Sequence, residues 1–260
     1  MCLLNGSVMR LGVALVVLCS GHSAHSGAYD ASSAELEEIL IIGSKTAARV
    51  VSGSASFIDE DDLERFDQID LRKILNQVAG VYIREEDGYG LRPNIGIRGA
   101  ASERSQKVTI MRDGVLITPA PYSAPAAYYV PNVSRISSVE VLKGPSATAY
   151  GPHTVGGAIN FASLAIPDSG SGGFADLSLG SDGFYKVQGS YGGNSGDFGF
   201  LLDLLTYGAE GFKEIDKIDQ ETGFDRNDFG LKLSYAIPES RFDHRVTLLM
   251  EAGDEEADET

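Results

Sequence analysis

Hydrophobic and polar positions change period twice along this chain. Behind Arg10, apolar residues run unbroken from Leu11 to Leu18, a stretch too short to cross a bilayer as a helix, and small residues follow through Ser26-Gly27-Ala28. A basic residue, a short apolar core and a small-residue cleavage site are the layout of a secretory signal peptide, placed here at residues 1–28. Residues 29–49 read as a mobile lead-in: small and acidic residues, then the apolar island Ile39-Leu40-Ile41-Ile42 closed by Gly43. Asp59, Glu60, Asp61 and Asp62 suit the first turn of a helix. Leu71, Ile74, Leu75 and Val78 recur at i, i+3, i+4 and i+7, with Asp67 or Asp70 to cap that helix and Gly80 to end it. Short apolar runs at Val81–Arg84, Ile95–Arg98, Val108–Met111, Val115–Ile117, Ile136–Leu142 and Ala158–Ala162 read as strands, and Asp113-Gly114 as a hairpin turn. Helices mixed with strands predict a small α+β domain over residues 50–165.

Asp168–Gly173 is glycine- and serine-rich, which predicts a linker at 166–173. From residue 174 the period becomes two. Leu177 and Leu179, then Tyr185, Val187 and Tyr191, then Phe198 to Leu204, then Phe229 to Tyr235, then Val246, Leu248 and Met250 alternate with polar or small residues. Successive segments of this kind separated by turns are the signature of an up-and-down β-barrel, including the outer-membrane kind, although a soluble β-sandwich gives a similar pattern. After an export signal the membrane barrel is the expectation, so residues 174–260 are read as its first strands. The fold class is an α+β domain followed by the start of an antiparallel transmembrane β-barrel.

Charge and candidate chemistry narrow the function. The 37 acidic residues outnumber the 21 basic ones, for a net charge of −16, which disfavours nucleic acid as a partner. Cys2 and Cys19 both fall in the predicted leader, leaving no thiol or disulfide chemistry beyond it. The run from Gly144 through Gly151 lacks the Gly-Lys-Ser/Thr of a phosphate loop and the Gly-x-Ser-x-Gly of a hydrolase elbow. His153 stands alone between His25 and His244, giving a metal no ligand cluster and a nucleophile no base. An enzyme is not expected, nor is a resident cofactor. The island at Ile39–Ile42 has two readings: an exposed strand for another chain to pair with, or an ordinary first strand of the domain.

Five motifs in order then carry a resemblance: Arg-Pro-Asn-Ile-Gly-Ile-Arg-Gly at Arg92–Gly99, Asp-Gly-Val at Asp113–Val115, Ala-Pro-Tyr at Ala120–Tyr122, Val-Glu-Val-Leu-Lys-Gly-Pro at Val139–Pro145, and Tyr-Gly-Pro-His-Thr-Val-Gly-Gly-Ala-Ile-Asn-Phe at Tyr150–Phe161. Over about Glu37 to Ser163 the chain resembles the plug domain of TonB-dependent outer-membrane receptors, most of all the ferric-citrate type. Thr222–Phe229 and the rest of the tail resemble the first strands of that family's barrel. The resemblance implies that a barrel of about 22 strands surrounds the plug, that a ferric chelate (ferric dicitrate or another siderophore) is the transported ligand, and that TonB, with its inner-membrane energising complex, drives import. It places the TonB box at Glu38, Ile39, Leu40, Ile41 and Ile42, to be captured by strand addition. It places the basic positions that lock plug to barrel at Arg98 and Lys143, the second being Arg in many members. Gly144, Pro145, Gly151, Gly156 and Gly157 become a mechanical turn, and Arg104, Lys107, Tyr122, Tyr128 and Tyr129 become candidates to reach an anionic chelate. The plug and N-terminus would face the periplasm from the outer membrane. Fewer than a hundred residues follow the linker, too few to close such a barrel, so the chain is expected to be the N-terminal part of a longer receptor. The rival class is a secreted, non-transporting β-rich binding module or adhesin.

Overall fold

The computed structural model describes residues 14–19, 40–66, 70–85, 93–100, 102–117, 130–210, 223–237 and 244–257. Two compact units divide the chain, one from Glu37 to Ala165 and one made of the residues up to Leu36 together with Ile166–Thr260. The first element, β1 (Ala14–Cys19), belongs to the second unit.

The Glu37–Ala165 unit contains, in order, α1 (Lys45–Ala48), β2 (Ser54–Ile58), α2 (Glu60–Phe66), α3 (Leu71–Leu75), β3 (Val81–Glu85), β4 (Pro93–Ile97), β5 (Val108–Arg112), β6 (Val115–Leu116), β7 (Ile136–Lys143) and β8 (Gly157–Ser163). The main sheet runs β2-β7-β8-β5-β6, antiparallel except for the parallel β5–β8 pair, and β3 with β4 forms a separate two-stranded ribbon. The alternation of side chains across a strand gives this sheet two apolar faces. Val139 and Val141 of β7, Ile159 and Phe161 of β8, and Val108 and Ile110 of β5 face a core filled by Leu71, Ile74, Leu75, Val81, Ile95 and Ile97. The opposite face, through Leu142, Ala158 and Met111, is covered by Ile42, Ala48 and Ala147, with Ile41, Phe57 and Tyr150 half-buried beside them.

Local chemistry sets the boundaries. The Asp70 carboxylate accepts from the Arg72 amide at 2.8 Å and starts α3. The helix ends sooner than its apolar spacing predicts, because Gln77 and Val78 donate to Ile74 and Leu75, a tighter i→i−3 turn that still buries Val78. Asp113 and Gly114 have φ values of 48° and 72°, the paired positive angles of a type I′ hairpin turn. The start of this unit also differs from expectation. Residues 40–48 are not a free lead-in: Ile42 and Ala48 are buried and Lys45–Ala48 is helical, capped by the Ser44 hydroxyl.

In the second unit, β9 (Gly170–Leu179), β10 (Tyr185–Ser195), β11 (Phe198–Ala209), β12 (Phe224–Ile237) and β13 (His244–Ala257) pair antiparallel in sequence order. β9 begins inside the predicted linker, so strand replaces linker from Gly170 onward. Glycine is needed there for packing: a Cβ on Gly173 would lie 2.2 Å from the Ser190 carbonyl oxygen of β10. β1, part of the predicted leader, lies along the other edge of β13. Register places Gly189, Leu204 and Phe229 in one row and Tyr191, Leu202 and Leu231 in the next, on the face where Leu177, Val187, Phe198 and Tyr235 are also exposed. The other face carries Lys186, Gln188, Ser190, Asp203, Arg226 and Asp228, all buried. Lys186 pairs with Asp176 at 2.7 Å and Arg226 with Asp228 at 2.9 Å. Apolar residues outward and paired polar residues inward is the pattern of a membrane barrel wall.

Candidate functional site

The N-terminal end of the Glu37–Ala165 unit is held by one buried acid. Glu140 lies in the middle of β7, between valines, on the face toward residues 41–48, and is fully buried. Its Oε1 accepts from the Ile42 amide at 2.6 Å and the Gly43 amide at 2.9 Å. Its Oε2 accepts from the Ile41 amide at 2.7 Å and from the Asn160 side chain at 2.8 Å. Four donors on two oxygens satisfy a carboxylate that would otherwise be costly to bury. Successive backbone N–H groups converging on an anion form a nest, here closed on the protein's own side chain. Asn160 spends its amide on both sides, since its Oδ1 accepts from the Gly114 amide at 2.9 Å. The hairpin turn, β8, β7 and residues 41–43 are thus joined by one hydrogen-bond chain. Burial, and secondarily the Glu140 charge, raises the Tyr150 phenol above its ordinary range.

At the end of the same strand, Lys143 is 3% exposed, and its Nζ donates to the Ala79 carbonyl at 2.9 Å and the Ser56 hydroxyl at 3.4 Å. Burial first, and the nearby Arg98 charge second, lower its pKa below the usual lysine range. Arg98 is exposed, has a φ of 53°, and reaches back over Gly144, where a Cβ would stand 3.3 Å from its Nη1. Among the described residues no carboxylate pairs with either cation. After Lys143 the chain turns through Gly144, whose φ of 103° favours glycine, into a 3₁₀ helix at Pro145–Tyr150 that ends at Gly151. Gly156 donates its amide to the Lys107 carbonyl at 2.8 Å, and Gly157 packs so tightly that a Cβ would come within 2.3 Å of the Leu142 carbonyl oxygen. Gly156 and Gly157 therefore serve close backbone approach, whereas Gly144 and Gly151 serve the turn through their positive φ angles. Among the described residues no group of three His, Cys, Asp or Glu side chains is placed to hold a metal.

Residues 47–158 match the family model described as the TonB-dependent receptor plug domain. That stretch is a plug domain of the TonB-dependent receptor kind. It is 26% identical over 232 residues to the vitamin B12 transporter BtuB of Photobacterium profundum, an alignment covering 88% of this chain and 36% of that protein. The vitamin B12 transporter BtuB of Vibrio vulnificus is 30% identical over 173 residues, 66% of this chain and 27% of that one. Among solved structures, the unliganded ferric citrate transporter FecA superposes with a TM-score of 0.68 at 25% identity, over 84% of this chain and 33% of its own. The ferric yersiniabactin uptake receptor FyuA of Yersinia pestis shares the fold, with a TM-score of 0.62 at 21% identity over 78% of this chain and 31% of that one. This chain thus spans about a third of the length of these relatives. These relatives are transporters and receptors, not enzymes.

Within the plug, the sequence-predicted residues divide into three groups. Arg98, Lys143 and the Gly144–Gly157 turn come together around the end of β7. Leu40, Ile41 and Ile42 are placed on the plug, Ile42 buried and Ile41 half-buried, whereas Glu38 and Ile39 lie outside the described residues. Of the ligand candidates, Tyr122, Tyr128 and Tyr129 also lie outside the described residues; Lys107 is exposed, and Arg104 sits in a 3₁₀ turn at Glu103–Ser105. Sequence reasoning passed over Glu140 and Asn160. A single acid inside the run Val139–Leu142, flanked by two valines and two residues from Leu142 on its own face, was the available signal.

Proposed function

We propose that this chain is the N-terminal part of an outer-membrane receptor that imports a ferric chelate, ferric dicitrate or another siderophore, with the plug gating the barrel and coupling it to TonB. The reading rests on one observation: a plug unit is followed directly by an antiparallel sheet whose apolar face is exposed and whose polar face is buried. The likeness to the ferric citrate transporter at 25% identity supports the iron-chelate class. Export would remove residues to about Ala28, freeing the edge of β13 on which β1 lies, so that the next barrel strand takes that place. Glu38–Ile42 would be the TonB box, facing the periplasm, and its main chain would add as a strand to TonB. Arg98 and Lys143 would meet carboxylates of the barrel wall. Arg104, Lys107, Tyr122, Tyr128 and Tyr129 would contribute to the chelate site, Arg through paired hydrogen bonds to carboxylate oxygens.

A second substrate class has its own support, because both BtuB relatives are vitamin B12 transporters. In the full-length receptor, deletion of Ile39–Ile42 is expected to abolish uptake while leaving substrate binding intact; uptake unchanged by the deletion refutes the TonB-coupled reading. Titration of the purified receptor with ferric citrate, other ferric siderophores and vitamin B12 decides the substrate, and tight binding of the vitamin alone overturns the iron assignment.

A further inference from the structure

We infer that Glu140 is the latch that holds the TonB-facing segment on the plug, and that Asn160 ties this latch to the Asp113–Gly114 hairpin. The inference deepens the import reading and rests on it for the identity of the partner, though not for the latch itself. The segment is held through its backbone amides at 41, 42 and 43 as well as through the buried Ile42 side chain. Those are the groups that strand addition requires, so an amide bound to Glu140 is not free to pair with an incoming strand. Capture of residues 41–43 and closure of the latch are mutually exclusive, and a pull on the segment enters the plug at the centre of β7.

Asn160 makes the latch responsive to the other end of the plug. Its Nδ2 donates to Glu140 while its Oδ1 accepts from Gly114, so the two contacts fix one amide orientation. Movement of the hairpin that withdraws the Gly114 amide leaves the Asn160 Oδ1 without that donor and loosens the side chain that donates to Glu140. The hairpin leads directly into residues 118–129, where three of the candidate ligand tyrosines lie. The mechanism needs no large rearrangement of the sheet, only the loss of hydrogen bonds that meet at one carboxylate.

The substitution Glu140→Gln tests this with almost no change of shape. One oxygen becomes an NH₂ group facing donors, and turning the Asn160 amide to compensate only passes the conflict to Gly114. Hydrogen exchange is measured on the full-length, substrate-free receptor at amides 41–43, with β3 and β4 amides as the fold control. Glu140→Gln is expected to speed exchange at 41–43 by at least about tenfold, with the control unchanged. Ile41→Pro, which deletes one donor from the segment side and leaves the acid intact, is expected to do the same at 42 and 43. Asn160→Ala is expected to release 41–43 and Gly114 together. Capture of the purified periplasmic domain of TonB without substrate should tighten in step with the released fraction. Unchanged exchange at 41–43 in Glu140→Gln overturns the latch, as does equal loss of protection throughout the plug in both Glu140→Gln and Ile41→Pro. Failure of every form, wild type included, to bind TonB overturns the import reading while exchange still decides the latch.

Discussion

Gly157→Ala isolates the close packing on which the centre of the plug depends. Gly157 opens β8 between two neighbours, pairing with Val108 of β5 and preceding the Ala158–Leu142 pair with β7. A Cβ at this position would stand 2.3 Å from the Leu142 carbonyl oxygen and 3.0 Å from the Ile97 Cδ1. The isoleucine tip can move, but the carbonyl is part of the β7 backbone, so relief requires the strands to part by more than half an ångström. Overpacking of this kind costs about 1–3 kcal/mol, and a backbone clash with no rotamer escape belongs at the upper end. Gly157 has a φ of 157°, at the edge of the range that L side chains avoid, so dihedral strain adds to the clash. Gly99→Ala supplies the complementary control, since its φ is 78° and no atom lies within 4 Å of the added Cβ; it carries only the left-handed strain of about 1 kcal/mol. The gap of about 2 kcal/mol corresponds to roughly a 30-fold difference in opening. Hydrogen exchange of β7 and β8 amides in the full-length receptor reads both variants on one scale. If Gly157→Ala and Gly99→Ala open the sheet equally, close backbone approach is not what the Gly-Gly pair supplies.

The remaining predictions concern charges inside the plug. Asp113→Ala removes a buried carboxylate that accepts from the Ser163 amide at 2.8 Å and its hydroxyl at 2.6 Å, at a position whose φ of 48° disfavours alanine; it should cost about 2–4 kcal/mol, and Asp113→Asn clearly less, by exchange at Ser163. The lowered pKa of Lys143 means the unfolded chain holds its proton more tightly than the fold does, so plug stability should rise as pH climbs from the depressed value toward the ordinary lysine value of 10.5. Lys143→Met should flatten that rise, and a slope left intact would assign it to another group. Lys45 pairs with Asp59 at 2.6 Å and Asp62 at 2.7 Å but is exposed; Lys45→Ala should leave exchange at amides 41–43 within error, unlike Glu140→Gln.

Much of the architecture was legible because it rests on local periodicity. Leu71, Ile74, Leu75 and Val78 mark a buried face whether the last turn is α or 3₁₀, and Asp113-Gly114 has a backbone requirement that few dipeptides meet. The barrel strands were legible for the same reason: alternate positions see opposite solvents. The misplaced boundaries arise where composition and packing conflict. Gly170–Gly173 reads as a linker by composition, but the register sets Gly173 opposite Tyr191, where a Cβ would stand 2.2 Å from the Ser190 carbonyl oxygen. The reading of residues 40–43 as a free apolar handle failed to include a partner 98 positions away, because nothing local in Ile41-Ile42-Gly43 reveals an acceptor for their amides. Glu140 itself was hidden by a strand in which every neighbour looked like core.

The two buried charges of β7 are handled in opposite ways, and the difference suits the roles proposed for them. Glu140 has all its hydrogen-bonding capacity filled from within the plug: four donors, three of them main chain, and a core that excludes water. Such a charge needs no other surface, and removing its partners one by one leaves an increasingly unfavourable buried anion, which is how a latch resists partial opening. Lys143, three residues on, has two neutral acceptors and a second cation for a neighbour, and burial already depresses its pKa. An ammonium in that position gains from any carboxylate brought to it, whether from a barrel wall or a ligand, and the gain would be largest where water is excluded. A carboxylate supplied from outside should therefore raise the Lys143 pKa back toward or above 10.5, reversing the sign of the pH dependence predicted for the plug without it. Finding the same rising stability with pH in the intact receptor would show that no such partner reaches Lys143, and the proposed lock would have to rest on Arg98 alone.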